Sequence, residues 1–202
     1  MLNSWYPIAR DVSMLQAALF PLKQAIQALR HDGVIAYATE SVWGLGCDPW
    51  SEQAVSRLLE IKQRRWQKGL ILIAADMTQL MPLLGRVTTK QLALIQSRWP
   101  GPVTWLVPVT EQIPTWLRGE HDTLALRVSA HPGVQQLCQA WGGPLVSTSA
   151  NRQRQPACKT ALQVRIRLGD ELDAIVPGAV SGAKCPSEIR DLISQRVLRA
   201  SA

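Results

Sequence analysis

Five short apolar runs alternate with segments in which apolar residues recur at helical spacing: VIAYA (34–38), LILIA (70–74), VTWLVPV (103–109), TLALRV (123–128) and PLVST (144–148). That alternation restricts the chain to a layered α/β domain with buried strands and outer helices. The intervening patterns predict helices. The first carries Leu22, Ile26 and Leu29 on one face, with Pro21 suited to its first turn and Gly33 as its stop. The second opens at Ser51 or Glu52, buries Ala54, Val55, Leu58, Leu59 and Ile61, and ends near Lys62. Others are expected over 77–84, 89–99, 132–140 and 160–168, with short strands at 174–176, 187–192 and 196–200. The runs at 103–109 and 123–128 are too close for a crossover helix, so the sheet should be mixed. No repeat or low-complexity linker divides the chain, which reads as one domain over 1–202.

At 202 residues and 47% hydrophobic composition the chain can enclose one sizeable core. Its formal charge of +7, with arginines outnumbering lysines 16 to 6, favours an anionic partner held by planar, forked donors. Nucleic acid, nucleotide and acidic metabolite all meet that description. Cys47, Cys138, Cys158 and Cys185 have no C-x-x-C spacing, and His31, His121 and His131 form no helical ligand pair, so no protein-held metal is expected. The first 15 residues lack the basic start and apolar core of a leader, and no run of 18 uncharged apolar residues follows. These features point to a cytoplasmic protein with reduced thiols and no membrane partner.

Five motifs could carry chemistry, and each has a plain structural reading beside the functional one. In ATESVWGLGCD (38–48), Gly44 and Gly46 permit a turn or a close approach of ligand, but the fingerprint of neither a dinucleotide fold nor a P-loop is complete, and a strand-to-loop turn accounts for the pattern. KQRRWQKGL (62–70) packs Lys62, Arg64, Arg65 and Lys68 into seven residues. A helix C-terminus accounts for one or two cations at about 0.3–1 kcal/mol each, and a triphosphate accounts better for all four. WPGPVTWLV (99–107) reads as a turn followed by a strand beginning near Thr104. In TLALRVSAHP, Arg127 interrupts an apolar strand and needs either an internal carboxylate or the anionic end of a substrate. In VSTSAN, Ser147, Thr148, Ser149 and Asn151 stand where a buried strand surfaces, fit to bind oxyanions or to make turns.

In order and spacing these motifs, with CPSEIRD near the C-terminus, resemble those of the YrdC-like family, most nearly its short bacterial threonylcarbamoyl-AMP synthases, over roughly residues 20–200. The resemblance implies a single YrdC/RibB-like α/β domain, a twisted mixed β-sheet with flanking helices around a basic cavity. It implies an enzyme converting L-threonine, bicarbonate or CO2, and ATP into threonylcarbamoyl-AMP and pyrophosphate, with Mg2+ accompanying the ATP. The product would feed the tRNA threonylcarbamoyl transferase machinery that makes t6A at tRNA position 37. Carried onto matching positions, L-threonine would meet Ser41, Arg127, Ser147 and Ser187, with Thr39 shaping the pocket. ATP would meet Lys62, Arg64 and Lys68, the residues expected to act in catalysis, together with Thr123, Ser149, Asn151 and Arg199. Glu40 is expected at a solvated surface. Ala38, Ser41, Trp43 and Arg65 depart from the usual pattern, as do the RQRQPA loop after Asn151 and Gly182–Lys184. A reading of a different class is a double-stranded RNA-binding or ribosome-maturation protein using the same basic cavity, with tRNA or double-stranded RNA as the partner and the patch extended by Arg152, Arg154, Lys159, Arg165 and Arg167.

Overall fold

The computed structural model describes residues 20–109 and 112–200, so the segment read for a leader lies outside them. A helix over 20–30 (α1) is followed by β1 (Ile35–Ala38), β2 (Trp43–Gly46), α2 (Glu52–Lys62), β3 (Ile71–Ala74), α3 (Thr89–Gln96), β4 (Val103–Pro108), α4 (Thr115–Arg118), β5 (Thr123–Val128), α5 (Pro132–Trp141), β6 (Leu145–Ser149), α6 (Ala161–Leu168), β7 (Ala174–Ile175), β8 (Glu188–Asp191) and β9 (Val197–Arg199). The strands form one mixed sheet in the order β7-β1-β2-β6-β3-β5-β4-β8-β9. Parallel pairs (β1 with β7, β3 with β5, β4 with β8) are interleaved with antiparallel ones, as the close spacing of β4 and β5 requires.

Period-two alternation along the strands builds two cores, one on each side of the sheet. On one side Ile35, Tyr37, Ile73 and Leu145 pack with Ala25, Ile26 and Leu29 of α1 and Val134, Leu137 and Cys138 of α5. On the other, Ala36, Trp43, Leu45, Leu72, Trp105 and Leu126 pack with the predicted face of α2, with Ile95 of α3 and with Val164 and Leu168 of α6. Helix starts follow the capping chemistry. Ser51 Oγ accepts from Ala54 N at 3.1 Å, Thr88 and Gln91 form a capping box, and Thr160 Oγ1 accepts from Gln163 N at 3.2 Å. Cys47, Cys138 and Cys158 are buried thiols. Among the described residues no helix is long and apolar enough to cross a membrane.

Two local expectations are corrected. The segment 77–84 is not an α-helix. Its apolar residues Leu80, Leu83 and Leu84 are buried, but apart from one i to i+4 bond, Met81 N to Met77 O, the bonds are i to i+3, and only Met81–Leu83 is helical, in 3-10 form. Pro82 supplies no N–H for a bond to Thr78 O, which interrupts the i to i+4 ladder, while Asp76 Oδ1 only caps the N–H groups of Thr78 and Gln79 at the start of the segment. The second correction concerns WGLG, read as a turn. It is β2, buried at all four residues and hydrogen-bonded between β1 and β6.

Neither glycine of β2 has a left-handed φ. They are required by closeness instead. A Cβ on Gly46 would lie 2.7 Å from Val146 O and 2.8 Å from Tyr37 Cε1, and one on Gly44 would touch the same tyrosine ring at 3.4 Å. The pair makes room for Tyr37, whose hydroxyl reaches toward Val146 O and the Ser147 hydroxyl. Gly46→Ala should therefore force β2 away from β6 and cost about 1–3 kcal/mol, seen as a lower urea midpoint at unchanged slope.

Candidate functional site

A cavity of about 470 Å³ lies against one face of the central sheet, within the usual range of ligand sites, about 300–1,000 Å³. Its floor is built by alternation along neighbouring strands. Thr123, Ala125 and Arg127 of β5 share a face with Ile71 and Ile73 of β3, and Ser147 stands opposite Ile71 in the adjoining strand. Ser149 of β6, Ser187 before β8 and Arg199 of β9 join the wall, with Thr39 and Ser41 from the β1–β2 turn and Arg64 and Lys68 from the loop after α2.

Arg127 is buried, and burial works against its charge. Its Nη2 meets Glu40 Oε1 at 2.8 Å and its Nε donates to Gly101 O at 3.0 Å. Glu40 is thus not the solvated surface residue expected. Its Oε1 also accepts from Ser129 Oγ at 2.8 Å and from Ala130 N at 3.0 Å, and its other oxygen is buried without a partner among the described residues. Burial opposes the Glu40 charge, yet Arg127 and these donors together hold its carboxyl below the usual carboxylate range. Thr39 Oγ1 donates to Val42 O at 2.6 Å, closing the turn that presents Ser41. Arg199 Nε and Nη2 both donate to Ser187 O, at 2.9 and 2.7 Å, and Nη2 also reaches Ser187 Oγ at 3.1 Å.

Lys62 and Asn151 do not stand where the sequence reading put them. Lys62 is buried behind the wall, donating to Ser149 O at 2.5 Å and to Asn151 O at 2.9 Å, and it is absent from the cavity lining. Burial, with Arg64 nearby, pushes its ammonium down to about 8. Asn151 turns inward on its own loop: Oδ1 accepts from Ser149 Oγ at 2.6 Å, and Nδ2 donates to Arg152 O and Gln155 O. In the divergent loop that follows, Arg152 pairs with Glu171 and donates to Ile61 O, so its charge is spent within the fold. The remaining predicted residues, Thr39, Ser41, Arg64, Lys68, Thr123, Arg127, Ser147, Ser149, Ser187 and Arg199, share the one hollow.

Arg118 and His121 also line the cavity and were not foreseen. They arrive because two loops interlock: Leu70 N donates to Leu117 O at 2.8 Å and Glu120 N to Gln67 O at 3.2 Å. Gly69 and Gly119 meet there at backbone distance, where any Cβ would collide with a carbonyl. In the sequence, the sole hint was that RGEH stands one residue before the strand that opens with Thr123.

The profile of the Sua5/YciO/YrdC family, described as "Telomere recombination", matches residues 27–201. Proteins named threonylcarbamoyl-AMP synthase are similar over most of their length. That of Vibrio cholerae is 52% identical over 180 residues, 88% of this chain and 96% of the relative, and that of Pseudomonas aeruginosa is 51% identical over 89% and 97%. Among solved structures, P. abyssi Sua5 complexed with L-threonine superposes with a TM-score of 0.81 at 29% identity, covering 88% of this chain and 53% of that one. E. coli YciO gives 0.79 at 27% identity, covering 90% and 89%.

The Arg127–Glu40 pair predicts a pH dependence. Because the folded state lowers the Glu40 carboxyl below its ordinary value of 4.5, the stability it contributes is present above that value and is lost as pH falls through the folded-state value. Glu40→Gln should lose about 1–3 kcal/mol at pH 7. Its urea-unfolding free energy should converge on that of the wild type as pH is taken from 5 toward 3.

Proposed function

The chain belongs to the Sua5/YciO/YrdC family, and from that membership we propose that the cavity joins L-threonine, bicarbonate or CO2, and ATP into threonylcarbamoyl-AMP, releasing pyrophosphate. The observation that carries the reading is the convergence of Arg64, Lys68, Arg118, Arg127 and Arg199 with Thr39, Ser41, Ser147, Ser149 and Ser187 on a single hollow. An amino-acid carboxylate and a triphosphate both demand such a lining.

The threonine carboxylate belongs at Arg127 and Ser187, with Ser41 and Ser147 beside it. The triphosphate belongs at Arg64 and Lys68, with Thr123, Ser149 and Arg199 around the nucleotide. Threonine's amine adds to CO2 and loses a proton to solvent, giving an N-carboxylate. One oxygen of that group attacks the α-phosphorus, the bond to the bridging oxygen breaks, and pyrophosphate leaves with the electron pair. The reaction is a nucleotidyl transfer that needs no protein nucleophile. The protein supplies positioning of two anions within bonding distance, and cations that screen their repulsion and receive the charge of the leaving group.

Lys62 serves this chemistry from behind, by setting the backbone of Ser149 and Asn151. Magnesium enters as the ion that ATP carries. None of the described residues lining the cavity is a carboxylate, so the ion's ligands among them would be phosphate oxygens and water. Such substrates are cytoplasmic solutes, so the proposal carries a cytoplasmic location with it. Its product is the threonylcarbamoyl donor for t6A in tRNA, handed on to the transferase that uses it.

Purified protein should release pyrophosphate only when ATP, threonine and bicarbonate are all present. Arg127→Ala and Lys68→Ala should each lower kcat/KM at least about 100-fold with an unchanged far-UV spectrum, Arg127→Ala mainly through the threonine KM. Salt-sensitive binding of duplex RNA without any pyrophosphate release would overturn the proposal.

A further inference from the structure

Ser187 has a buried hydroxyl directly behind it that belongs to none of the residues discussed so far as touching a ligand. Thr104, on β4, is fully buried, and its Oγ1 lies 2.9 Å from Ser187 Oγ. The two are neighbours because β4 and β8 run parallel with Thr104 in register with Ile189, two residues beyond Ser187. Resting on the reading of the cavity as an amino-acid and ATP site, we propose that Thr104 is a positioning residue that makes Ser187 an obligate hydrogen-bond donor to the substrate's carboxylate.

The argument is one of proton placement. Either oxygen of the Thr104–Ser187 pair could donate on distance alone. Among the described residues, however, Ser187 Oγ is the single hydrogen-bond partner of Thr104 Oγ1. A buried hydroxyl whose proton has no acceptor carries a full desolvation penalty, so the Thr104 proton must point at Ser187. Arg199 Nη2, which has only protons to give, donates to the same oxygen at 3.1 Å. A serine hydroxyl has two lone pairs and one proton. Both lone pairs are then taken, one by Thr104 from behind and one by Arg199 from along the wall, and the proton is left for the open side, which is the cavity.

An ionised carboxylate only accepts, and an ammonium only donates. The arrangement therefore welcomes the carboxylate of an amino acid at Ser187 and turns its amine away, toward the part of the hollow where the triphosphate reading needs it. Arg127, held by Glu40, stands as the second donor to the same carboxylate. Orientation of the substrate is thus set in part by a residue behind the wall.

The test compares wild type, Thr104→Val and Thr104→Ser. Valine preserves the shape and removes the proton, so Ser187 loses its fixed orientation. The KM for threonine should rise roughly tenfold in Thr104→Val while the KM for ATP and kcat at saturating threonine stay within about twofold. Thr104→Ser should restore the threonine KM to within about twofold of wild type. An unchanged threonine KM in Thr104→Val overturns the assignment, as does a parallel rise in the KM for ATP or a failure of serine to rescue. Calorimetric titration of the same three proteins with L-threonine reads Thr104 without turnover. A wild type that binds threonine yet releases no pyrophosphate counts against the enzyme reading alone, and one that binds none overturns both.

Discussion

Lys62 is the last residue of α2, and its ammonium sits against the carbonyl oxygens of Ser149 and Asn151 at the end of β6. Three physical facts meet there. A helix C-terminus favours a cation, a buried cation must have acceptors on every side, and the oxygens exposed where a strand ends need donors. The remaining cost is visible in the ammonium, which burial brings down to about 8. The contact sets the distance between the cationic loop that begins one residue later and the strand that carries Ser147 and Ser149. Everything the cavity does depends on those two edges keeping their separation.

A cluster of like charges is stable only if each member is anchored, and the anchors are mostly backbone. Arg64 Nη2 donates to Gly69 O at 2.9 Å, Arg127 Nε to Gly101 O, and Arg199 to Ser187 O. Arg127 alone among these three has a carboxylate partner, Glu40. Guanidinium groups held in this way retain their charge while giving up their freedom to move. That is the condition under which oriented donors stabilise developing negative charge without having to reorganise first. Ser187 extends the principle from charge to proton direction.

The parts of this fold that were legible in the sequence are those where burial writes a periodic pattern. VIAYA, LILIA and TLALRV are strands, and α2 buries the five residues its spacing selected. β2 was illegible because two of its four residues are glycines, retained to admit the Tyr37 ring across the sheet, and glycine reads locally as a turn. The 77–84 segment has helical spacing, but Pro82, which has no N–H, interrupts its hydrogen-bond ladder. At the site, residue type was legible and depth was not. Lys62 and Lys68 look alike in KQRRWQKGL, yet one is sealed behind the wall and the other faces the hollow. Glu40 and Thr104 act through contacts 87 and 83 residues away along the chain, to Arg127 and Ser187, beyond any local pattern.

The central claim is that one hollow receives both an amino acid and a nucleoside triphosphate. It is tested most directly by a crystal structure of the protein grown with L-threonine and a non-hydrolysable ATP analogue. The account requires the threonine carboxylate within hydrogen-bond distance of Arg127 and Ser187, the phosphates against Arg64 and Lys68, and Lys62 unmoved behind Ser149. Phosphates seated outside that space, or threonine bound away from Arg127, would contradict it.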